Sequence, residues 1–237
     1  MHNIKQGVIL AAGLGTRLRP LTENIPKAMV PIQGKPLILH HIEQMKKYGI
    51  KEFFINLHHL PEKITDYFGD GSVFGVKIFY SYEKELLGTG GALSAFKSAL
   101  GERFVLAYGD IFTFLDYQKF MDFDEKKGGA GSVVLKKTDH PDDSDLVTLN
   151  NNDEINKFYL KPHKDFLPQE IFGMSGIYIL SGAILNTIPL NIYCELDHRI
   201  LPEAVKNNMP IYGYKTTELA EDVGTIDRYE RILKRFQ

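Results

Sequence analysis

Residues 8–31 read VILAAGLGTRLRPLTENIPKAMVP, an apolar run followed by two closely spaced glycines, then by basic residues and prolines. The apolar segment Lys5–Leu10 predicts a buried strand. Gly13 and Gly15 directly after it predict a tight turn at the strand's carboxyl end. Such a turn could belong to a dinucleotide fingerprint, to a phosphate-binding loop of another kind, or to an ordinary core.

The two best-known phosphate loops require residues that this stretch lacks. The dinucleotide fingerprint G-x-G-x-x-G needs a third glycine, where this chain has Leu18, and an acid at the end of the second strand. The predicted second strand, Glu52–Leu57, runs into two histidines instead. The P-loop needs Gly-Lys followed by Ser or Thr, which occurs nowhere in the chain. Both loops are therefore excluded.

A glycine turn with backbone N–H groups free to face an anion still fits the stretch. Arg17 and Arg19 follow the turn at once, and Pro20 and Pro26 prevent a long regular helix. We therefore predict that Lys27 lies on an extended segment. The cations suit a polyphosphate, but on these residues alone an ordinary turn with solvated cations is the preferred interpretation.

Composition and charge narrow the class of protein. The 237 residues are 43% hydrophobic and 24% charged, typical of a globular chain with a real core. A net charge of −2 argues against a general nucleic-acid binder. The single cysteine, Cys194, excludes an intramolecular disulfide framework and suits a reducing compartment. Because no apolar run reaches 18 residues, we expect no membrane span and a cytoplasmic protein.

Short apolar runs alternate with amphipathic ones through the first half of the chain, which predicts β-α-β units and a mostly parallel sheet. Ligands of such sheets bind outside the carboxyl ends of the strands. The second half is less regular, but no linker or repeat separates it, so we predict one domain over 1–237. We predict helices that begin at Pro36, Thr89, Leu196 and Thr225. The helix that begins at Thr89 is predicted to end at Leu100.

The full opening stretch resembles the signature of the sugar-1-phosphate nucleotidylyltransferases, G-x-G-x-R-x-x-P-L-T-x-x-x-P-K-x-x-x-P. Nine matching positions fall within nineteen residues: Gly13, Gly15, Arg17, Pro20, Leu21, Thr22, Pro26, Lys27 and Pro31. One position departs, since Ala28 stands where the family commonly has proline. That departure concerns the rigidity of the loop rather than its chemistry.

Four later segments resemble further elements of the same family. "YGD" resembles the segment with the metal aspartate, here Asp110, and "EDVGT" the segment with a second one, Asp222. "EKELLGTGGAL" resembles a nucleotide- or sugar-contacting segment. "YLKP" resembles an E-K-P element whose lysine binds the sugar phosphate, here Lys161, although Leu160 replaces the glutamate. "MSGIY" resembles a pocket-lining strand, although Ser175 stands where asparagine or alanine is more frequent.

The resemblance implies a Rossmann-like three-layer α/β sandwich with a mostly parallel mixed sheet, and a short form without a C-terminal β-helix. It implies a nucleotide-binding part over about 1–115 and a sugar-phosphate-binding part over about 116–237. Arg17 and Lys27 would be catalytic, and Mg²⁺ would bind Asp110 and Asp222. The nucleotide would contact Leu10, Ala11, Ala12, Gly13, Gly15, Thr16, Glu83, Gly88 and Thr89. The sugar phosphate would contact Lys161, Ser175, Gly176 and Gly109.

The implied reaction joins a nucleoside triphosphate to a sugar 1-phosphate and releases pyrophosphate, in the synthesis of cell-surface polysaccharide precursors. We favour GTP with mannose or D-glycero-D-manno-heptose 1-phosphate. UTP with N-acetylmuramate or glucose 1-phosphate, and a phosphocholine cytidylyltransferase, stay open. We expect no nucleic-acid or membrane partner and a monomer or small homo-oligomer.

Two other classes of protein also remain. A glycosyltransferase would use Asp122 and Asp124 as a D-x-D metal motif, but the charged, amphipathic stretch around them favours a solvated helix face. An inactive nucleotide-binding regulator is the second, although both metal aspartates and both cations are present.

Overall fold

The computed structural model describes residues 4–138, 141–163 and 168–236. Its strands are β1 (Gln6–Leu10), β2 (Pro31–Ile32), β3 (Lys35–Pro36), β4 (Glu52–Leu57), β5 (Lys77–Tyr82), β6 (Arg103–Tyr108), β7 (Ile111–Thr113), β8 (Gly131–Lys136), β9 (Leu146–Leu149), β10 (Ile155–Tyr159), β11 (Phe172–Ser181), β12 (Ile211–Lys215) and β13 (Ala220–Asp222). Its α-helices are α1 (Leu37–Lys47), α2 (Pro61–Phe68), α3 (Gly88–Gly91), α4 (Tyr117–Lys127), α5 (Gly182–Thr187), α6 (Leu201–Lys206) and α7 (Ile226–Arg235). Among these residues, no helix has the length and apolar character needed to cross a membrane.

The chain divides into two compact units. The N-terminal unit comprises 4–86, 106–117 and 218–236, so the last helix returns to it. The central unit comprises 87–105 and the described part of 118–217. We keep a single domain with a functional boundary near residue 115 as a prediction.

The N-terminal unit is built on parallel strands. β1 pairs with β4 from Gln6↔Glu52 to Leu10↔Asn56, and β4 pairs with β5 in the same direction. The last part of β6 lies beside β1 in strand order. Because parallel strands end at the same edge, the opening glycine loop leaves the sheet where β4 and β5 also end. This edge is the one at which the sequence predicts ligand binding.

A fully apolar cluster anchors the opening loop to the end of the chain. Leu18, which replaces the third glycine of a dinucleotide fingerprint, is fully buried in it. Its partners come from the strands after the loop, from α1, and from the last strand and helix: Val30, Ile32, Leu37, Phe112, Leu219, Val223 and Ile232. The residue that excludes a dinucleotide site is therefore a core residue that fixes the loop and α7 in one unit.

The central unit has a mixed sheet. β8 pairs antiparallel with β11 and parallel with β12, while β9 pairs antiparallel with β10. The register of β11 against β8 shifts between Met174 and Tyr178, and Gly176 within the shift has a φ of +69°. Glycine adopts that backbone conformation without strain. The two units together confirm the predicted Rossmann-like α/β class with its mixed sheet.

Two local predictions are wrong. The helix expected over residues 89–100 is only α3 followed by a 3-10 helix over Ala92–Phe96, because three of the four residues of α3 are glycine, a poor helix former. Lys27 does not lie on an extended segment, since it opens a one-turn 3-10 helix, Lys27–Met29. Pro26 supplies the residue before that turn and stops any longer helix on its N-terminal side.

The buried imidazole of His41 on α1 should make the protein sensitive to acid. Burial lowers the pKa of His41 to about 4, and the charge of Asp110 only partly opposes this. Above pH 6.5 both folded and unfolded states hold neutral His41, so the stability is complete. As the pH falls from 6.5 towards 4, only the unfolded chain binds the proton, and stability is lost.

Between pH 7 and pH 5, the unfolding free energy of the parent should fall by about 1–2 kcal/mol more than that of His41→Met. Urea unfolding at the two pH values measures the difference. His59→Asn, which changes a half-exposed histidine, is the control. Equal acid losses in the parent and in His41→Met would contradict the assignment.

Candidate active site

One ammonium group lies between two carboxylates in the N-terminal unit. Lys27 Nζ contacts Asp110 Oδ2 and lies 3.5 Å from Asp222 Oδ1. The lysine side chain is 12% exposed, whereas both aspartates are 30% exposed. The carboxylates therefore reach solvent around a nearly buried cation, which is where an incoming cation or phosphate would meet them.

Strand pairing brings the two aspartates together although 112 positions separate them in the sequence. Asp110 lies in the turn between β6 and β7, and Asp222 ends β13. β13 pairs antiparallel with β7, so Asp222 lies opposite Ile111, and Val223 N donates to Asp110 O at 2.8 Å. The geometry of the pair is thus fixed by backbone hydrogen bonds rather than by flexible side chains.

Arg228 is a cation of this site that the sequence did not reveal. Its Nη1 donates to Asp222 Oδ2 at 2.5 Å, so each oxygen of Asp222 faces a different cation. Arg228 lies one turn into α7, whose first turn is capped by Thr225 Oγ1 accepting from Arg228 N at 3.3 Å. A helix beginning at Thr225 is thus confirmed, with Thr225 as its N-cap, and the cap orients the helix that carries Arg228.

The position of the Asp222 carboxylate leaves no room for a side chain at Gly224. A Cβ added at Gly224 would lie 2.5 and 2.7 Å from the two carboxylate oxygens. Gly224→Ala should therefore push the carboxylate away from Lys27, and we expect a loss of activity of roughly 10–100-fold, as for residues that orient metal ligands. Steady-state turnover measures the effect, with Gly128→Ala as a control, since a Cβ there meets open space.

Gly128 has a positive φ, whereas Gly224 does not. The control therefore carries a backbone strain that Gly224→Ala lacks, so a larger loss of activity in Gly224→Ala cannot be attributed to strain. The folded state of both variants is checked by thermal unfolding. Full turnover in Gly224→Ala would show that the Asp222 position does not matter.

The loop after β1 presents unused backbone donors. Across the described residues, no backbone N–H from Ala12 to Arg17 donates a hydrogen bond to the rest of the protein. Gly15 has a φ of +64°, and Thr22 Oγ1 donates to its carbonyl oxygen at 2.7 Å, which closes the loop. Successive free N–H groups in such a turn form an anion-binding concavity.

Some residues of the loop are buried in the protein, and others are exposed to solvent. Ala11 and Ala12 are buried, while Gly13, Thr16 and Arg17 are exposed. A Cβ at Gly13 would meet nothing within 4 Å, so packing does not require glycine there. The Arg17 guanidinium makes no ion pair or hydrogen bond within the described part of the chain. It is therefore available to a ligand.

Glu83 is placed differently from what its expected contact with the nucleotide suggests. Its carboxylate is 4% exposed and accepts from Asn56 Nδ2 at 2.7 Å. Asn56 Oδ1 in turn accepts from Ala11 N, also at 2.7 Å. The chain Glu83–Asn56–Ala11 therefore fixes the backbone where the loop begins. Sequence reasoning missed Asn56, whose position one residue before the end of β4 was its only signal.

Gly109 also supports the start of the loop. Its N donates to Leu10 O at 2.8 Å, and a Cβ at Gly109 would lie 2.7 Å from the same oxygen. The glycine therefore permits β6 to end against the end of β1. This places Asp110, the next residue, beside the loop.

The glycine-rich segment of the central unit packs against the chain near Cys194. Gly90 N and Gly91 N both donate to Cys194 O, and a Cβ at Gly88 would lie 2.6 Å from that oxygen. Thr89 Oγ1 and Thr89 N both donate to Glu195 Oε2, at 2.6 and 3.1 Å. These hydrogen bonds hold the pKa of Glu195 below its usual value despite burial. The glycines are thus explained by close backbone packing, and Cys194 is a buried residue.

Three of the four predicted sugar-phosphate residues, all but Gly109, lie in the central unit. Lys161 is exposed, and its N donates to Asp145 Oδ1 at 3.0 Å. Ser175 and Gly176 lie in β11 at the register shift. Met174 N, next to Ser175, donates to Asp145 O at 3.2 Å. Asp145, which sequence reasoning did not single out, therefore joins the two segments.

The prediction that Asp122 and Asp124 both lie on a solvated helix face is half wrong. Asp122 is exposed, but Asp124 is 1% exposed and accepts from Arg103 Nε at 2.7 Å and from Ser132 Oγ at 2.7 Å. Its partners satisfy the carboxylate inside the central unit. A D-x-D metal motif is therefore not supported.

The chemistry of the donors at Lys27 suits Mg²⁺. In the described ranges no group of three or more His, Cys, Asp and Glu residues could by itself hold a metal ion. Mg²⁺ is commonly bound through one or two carboxylates, with substrate phosphates completing the site. Two half-exposed carboxylates already gathered around one cation fit that requirement.

Comparison with known proteins shows the family of this chain. The family model described as nucleotidyl transferase matches residues 6–237. The chain belongs to this family. The match spans both units and every candidate residue discussed above.

Relatives with assigned names differ in nucleotide and sugar. The chain is 31% identical to a UTP--glucose-1-phosphate uridylyltransferase of Synechocystis, over 97% of this chain and 62% of the relative. It is 33% identical to mannose-1-phosphate guanylyltransferase 1 of Arabidopsis thaliana, over 78% of this chain and 52% of the relative. The chain thus spans less than two thirds of the length of these relatives.

Solved structures match over nearly the whole chain. HddC from Yersinia pseudotuberculosis, also solved in complex with GMP-PN, is 26% identical with a TM-score of 0.80, covering 99% of this chain and all of that one. A UDP-glucose pyrophosphorylase complexed with UDP-glucose has a TM-score of 0.85 at 21% identity, over 98% of both chains. The second likeness shows the fold alone.

Proposed function

We propose that this protein transfers a nucleoside monophosphate from a nucleoside triphosphate to a sugar 1-phosphate. An oxygen of the sugar phosphate attacks the α-phosphorus, the bond from that phosphorus to the bridging oxygen breaks, and pyrophosphate leaves. The observation that carries the proposal is the placement of Lys27 between Asp110 and Asp222. The free N–H groups of residues 12–17 beside the same strand edge support it.

The protein's task in this reaction is to align two anions and to neutralise charge in the transition state. The N–H groups of the loop cradle the triphosphate, and Arg17 pairs with it because its guanidinium has no other partner among the described residues. Lys27 exchanges one of its carboxylate contacts for a phosphate oxygen. Lys161 binds the phosphate of the sugar.

Asp110 and Asp222 would hold Mg²⁺, which supplies positive charge to the phosphate oxygens when bound. Arg228 keeps Asp222 oriented while Lys27 changes partners, since it binds the other oxygen of that carboxylate. Asn56 and Glu83 hold the loop's first N–H in place. The polar groups in and around the site therefore have roles in binding, orientation or charge neutralisation.

For the substrates we propose GTP with mannose or D-glycero-D-manno-heptose 1-phosphate. Similarity to the Arabidopsis mannose-1-phosphate guanylyltransferase and to HddC, solved with GMP-PN, supports this choice. UTP with glucose or N-acetylmuramate 1-phosphate is the second candidate, favoured by similarity to the Synechocystis uridylyltransferase. We also propose a role in the synthesis of cell-surface polysaccharide precursors. We propose a cytoplasmic location because both substrates are made in the cytoplasm.

The test is pyrophosphate release by the purified protein with Mg²⁺, each of four NTPs, and a panel of acceptors. The panel holds the 1-phosphates of mannose, manno-heptose, glucose and N-acetylmuramate, with phosphocholine added. We expect release only when NTP and acceptor are both present, greatest with GTP and a manno-configured sugar. Greatest release with UTP would select the second candidate, and no release with any pair would overturn the proposal.

A further inference from the structure

The carboxylate of Asp145 gathers three segments of the central unit at one point. Its Oδ1 accepts from Lys161 N at 3.0 Å, and its Oδ2 is 2.9 Å from His198 Nε2. Its backbone oxygen accepts from Met174 N, the residue before Ser175. His198, which neither the sequence analysis nor the proposed reaction uses, thus shares a carboxylate with Lys161.

The tautomer of His198 follows from its partner. An ionised carboxylate only accepts hydrogen bonds, so Nε2 carries the hydrogen and donates it to Asp145. In the neutral ring, Nδ1 is then an acceptor. Nδ1 makes no hydrogen bond to any described residue. The ring is oriented by Asp145, and 43% of the His198 side chain is exposed.

The charged neighbours of His198 are already engaged. Asp197 accepts from Tyr178 OH at 2.7 Å, and Arg199 pairs with Glu203 at 3.3 Å. Glu195, at the start of the same segment, accepts from Thr89 and Tyr193. His198 therefore stands out in this segment as an exposed polar group with a free acceptor atom and a fixed orientation.

We propose that His198 is a specificity-determining residue that accepts a hydrogen bond from a hydroxyl group of the acceptor sugar, and that Asp145 positions it together with Lys161. A phosphate dianion carries no hydrogen to donate, so an acceptor nitrogen whose ring shares Asp145 with the backbone N of Lys161 suits a sugar hydroxyl instead. The inference rests on the proposed function, because Lys161 is taken to bind the phosphate of that sugar. It adds which side chain distinguishes one sugar from another.

The first test compares acceptor analogues. For the sugar 1-phosphate that the parent uses best, kcat/KM is measured for that compound and for each of its single-deoxy derivatives, in the parent, His198→Ala and Asp145→Asn. Arg199→Ala, the adjacent exposed residue of the same segment, is the matched control. NTP KM and kcat are recorded in every case.

We expect His198→Ala to raise the acceptor KM roughly three- to tenfold, the loss of one hydrogen bond, with the NTP KM unchanged. With the parent, one deoxy derivative should have a kcat/KM lower than that of the full sugar 1-phosphate by a similar factor. With His198→Ala, these two compounds should have equal kcat/KM. Asp145→Asn should raise the acceptor KM at least as much, because it disturbs both His198 and Lys161. Arg199→Ala should change none of these ratios.

The second test needs no turnover. Mannose 1-phosphate is titrated without nucleotide into protein labelled at histidine, and the His198 ring signals, assigned by their loss in His198→Ala, are followed by NMR. We expect them to shift in the parent and not in Asp145→Asn. Pyrophosphate release with unaltered deoxy ratios in His198→Ala, or ring signals that stay fixed at saturating sugar phosphate, would overturn this inference while the proposed function stands. Absence of release with every pair would overturn the function itself.

Discussion

Replacing Asp110 with asparagine should lower kcat by roughly 10²–10³-fold, the range seen when one preorganised charge-stabilising group is lost from an active site. The amide keeps the shape of the side chain but removes the negative charge that faces Lys27. It also removes one of the two carboxylates that would hold Mg²⁺. The variant should consequently need more Mg²⁺ for half-maximal rate.

The measurement is the rate of pyrophosphate release against Mg²⁺ concentration, with Mn²⁺ binding to the free protein followed by electron paramagnetic resonance. Asp227→Asn is the matched control, since it makes the same change at an exposed aspartate of the first turn of α7. Circular dichroism should show both variants folded. Parent-like Mn²⁺ affinity and turnover in Asp110→Asn would rule out a metal role for this residue.

Arg17→Ala should lose about 2.7–4 kcal/mol of transition-state stabilisation, equivalent to a ~10²–10³-fold fall in kcat/KM for the NTP. The guanidinium has no partner in the described protein, so its removal disturbs no native contact and the stability should stay within about 0.5 kcal/mol. Any loss of activity therefore reports on the reaction.

Arg19→Ala is the control for Arg17→Ala, because Arg19 is also exposed and lies two residues further along the same loop. Arg17→Lys should recover part of the lost rate, since it keeps the charge but not the two-pronged geometry of the guanidinium. If Arg17→Ala and Arg19→Ala behave alike, the effect is a general one of surface charge. Unchanged turnover in Arg17→Ala would show that the Arg17 guanidinium is only a solvated cation.

The sequence predicted the frame of the N-terminal unit because its signals are local. Apolar runs gave β1 and β4, and α1 begins directly after Pro36, where a helix was predicted. Leu18 was predictive in a further way, since a leucine in place of the third glycine both excludes a dinucleotide and fills the core. These inferences need only the properties of neighbouring residues.

Contacts between distant residues could not be predicted in the same way. Asn56 and Asp145 lie in ordinary-looking segments, and only strand pairing brings them to Ala11 and Lys161. Arg228 is six residues from Asp222, but only the turn from β13 into α7 brings its guanidinium to that carboxylate. From the sequence, Asp110 and Asp222 could be predicted to act together only through the family resemblance. The composition of residues 122–124 likewise gave no sign that Arg103 would bury Asp124.

The misplaced helix over residues 89–100 has a tertiary cause. Its glycines are demanded by the close approach of Cys194 O rather than by a helix, and they shorten the α-helical turn to four residues. A sequence pattern reports apolar spacing but not the backbone that will pack against it.

The central claim is that the Lys27–Asp110–Asp222 cluster serves nucleotidyl transfer to a sugar 1-phosphate. Its most direct test is pyrophosphate release with Mg²⁺, GTP and mannose 1-phosphate, measured side by side for the parent protein and Asp110→Asn. The account predicts release that requires both substrates, with formation of a nucleotide sugar in equal amount, and its near loss in the variant. Pyrophosphate released without the sugar phosphate, or equal release by both proteins, would contradict it.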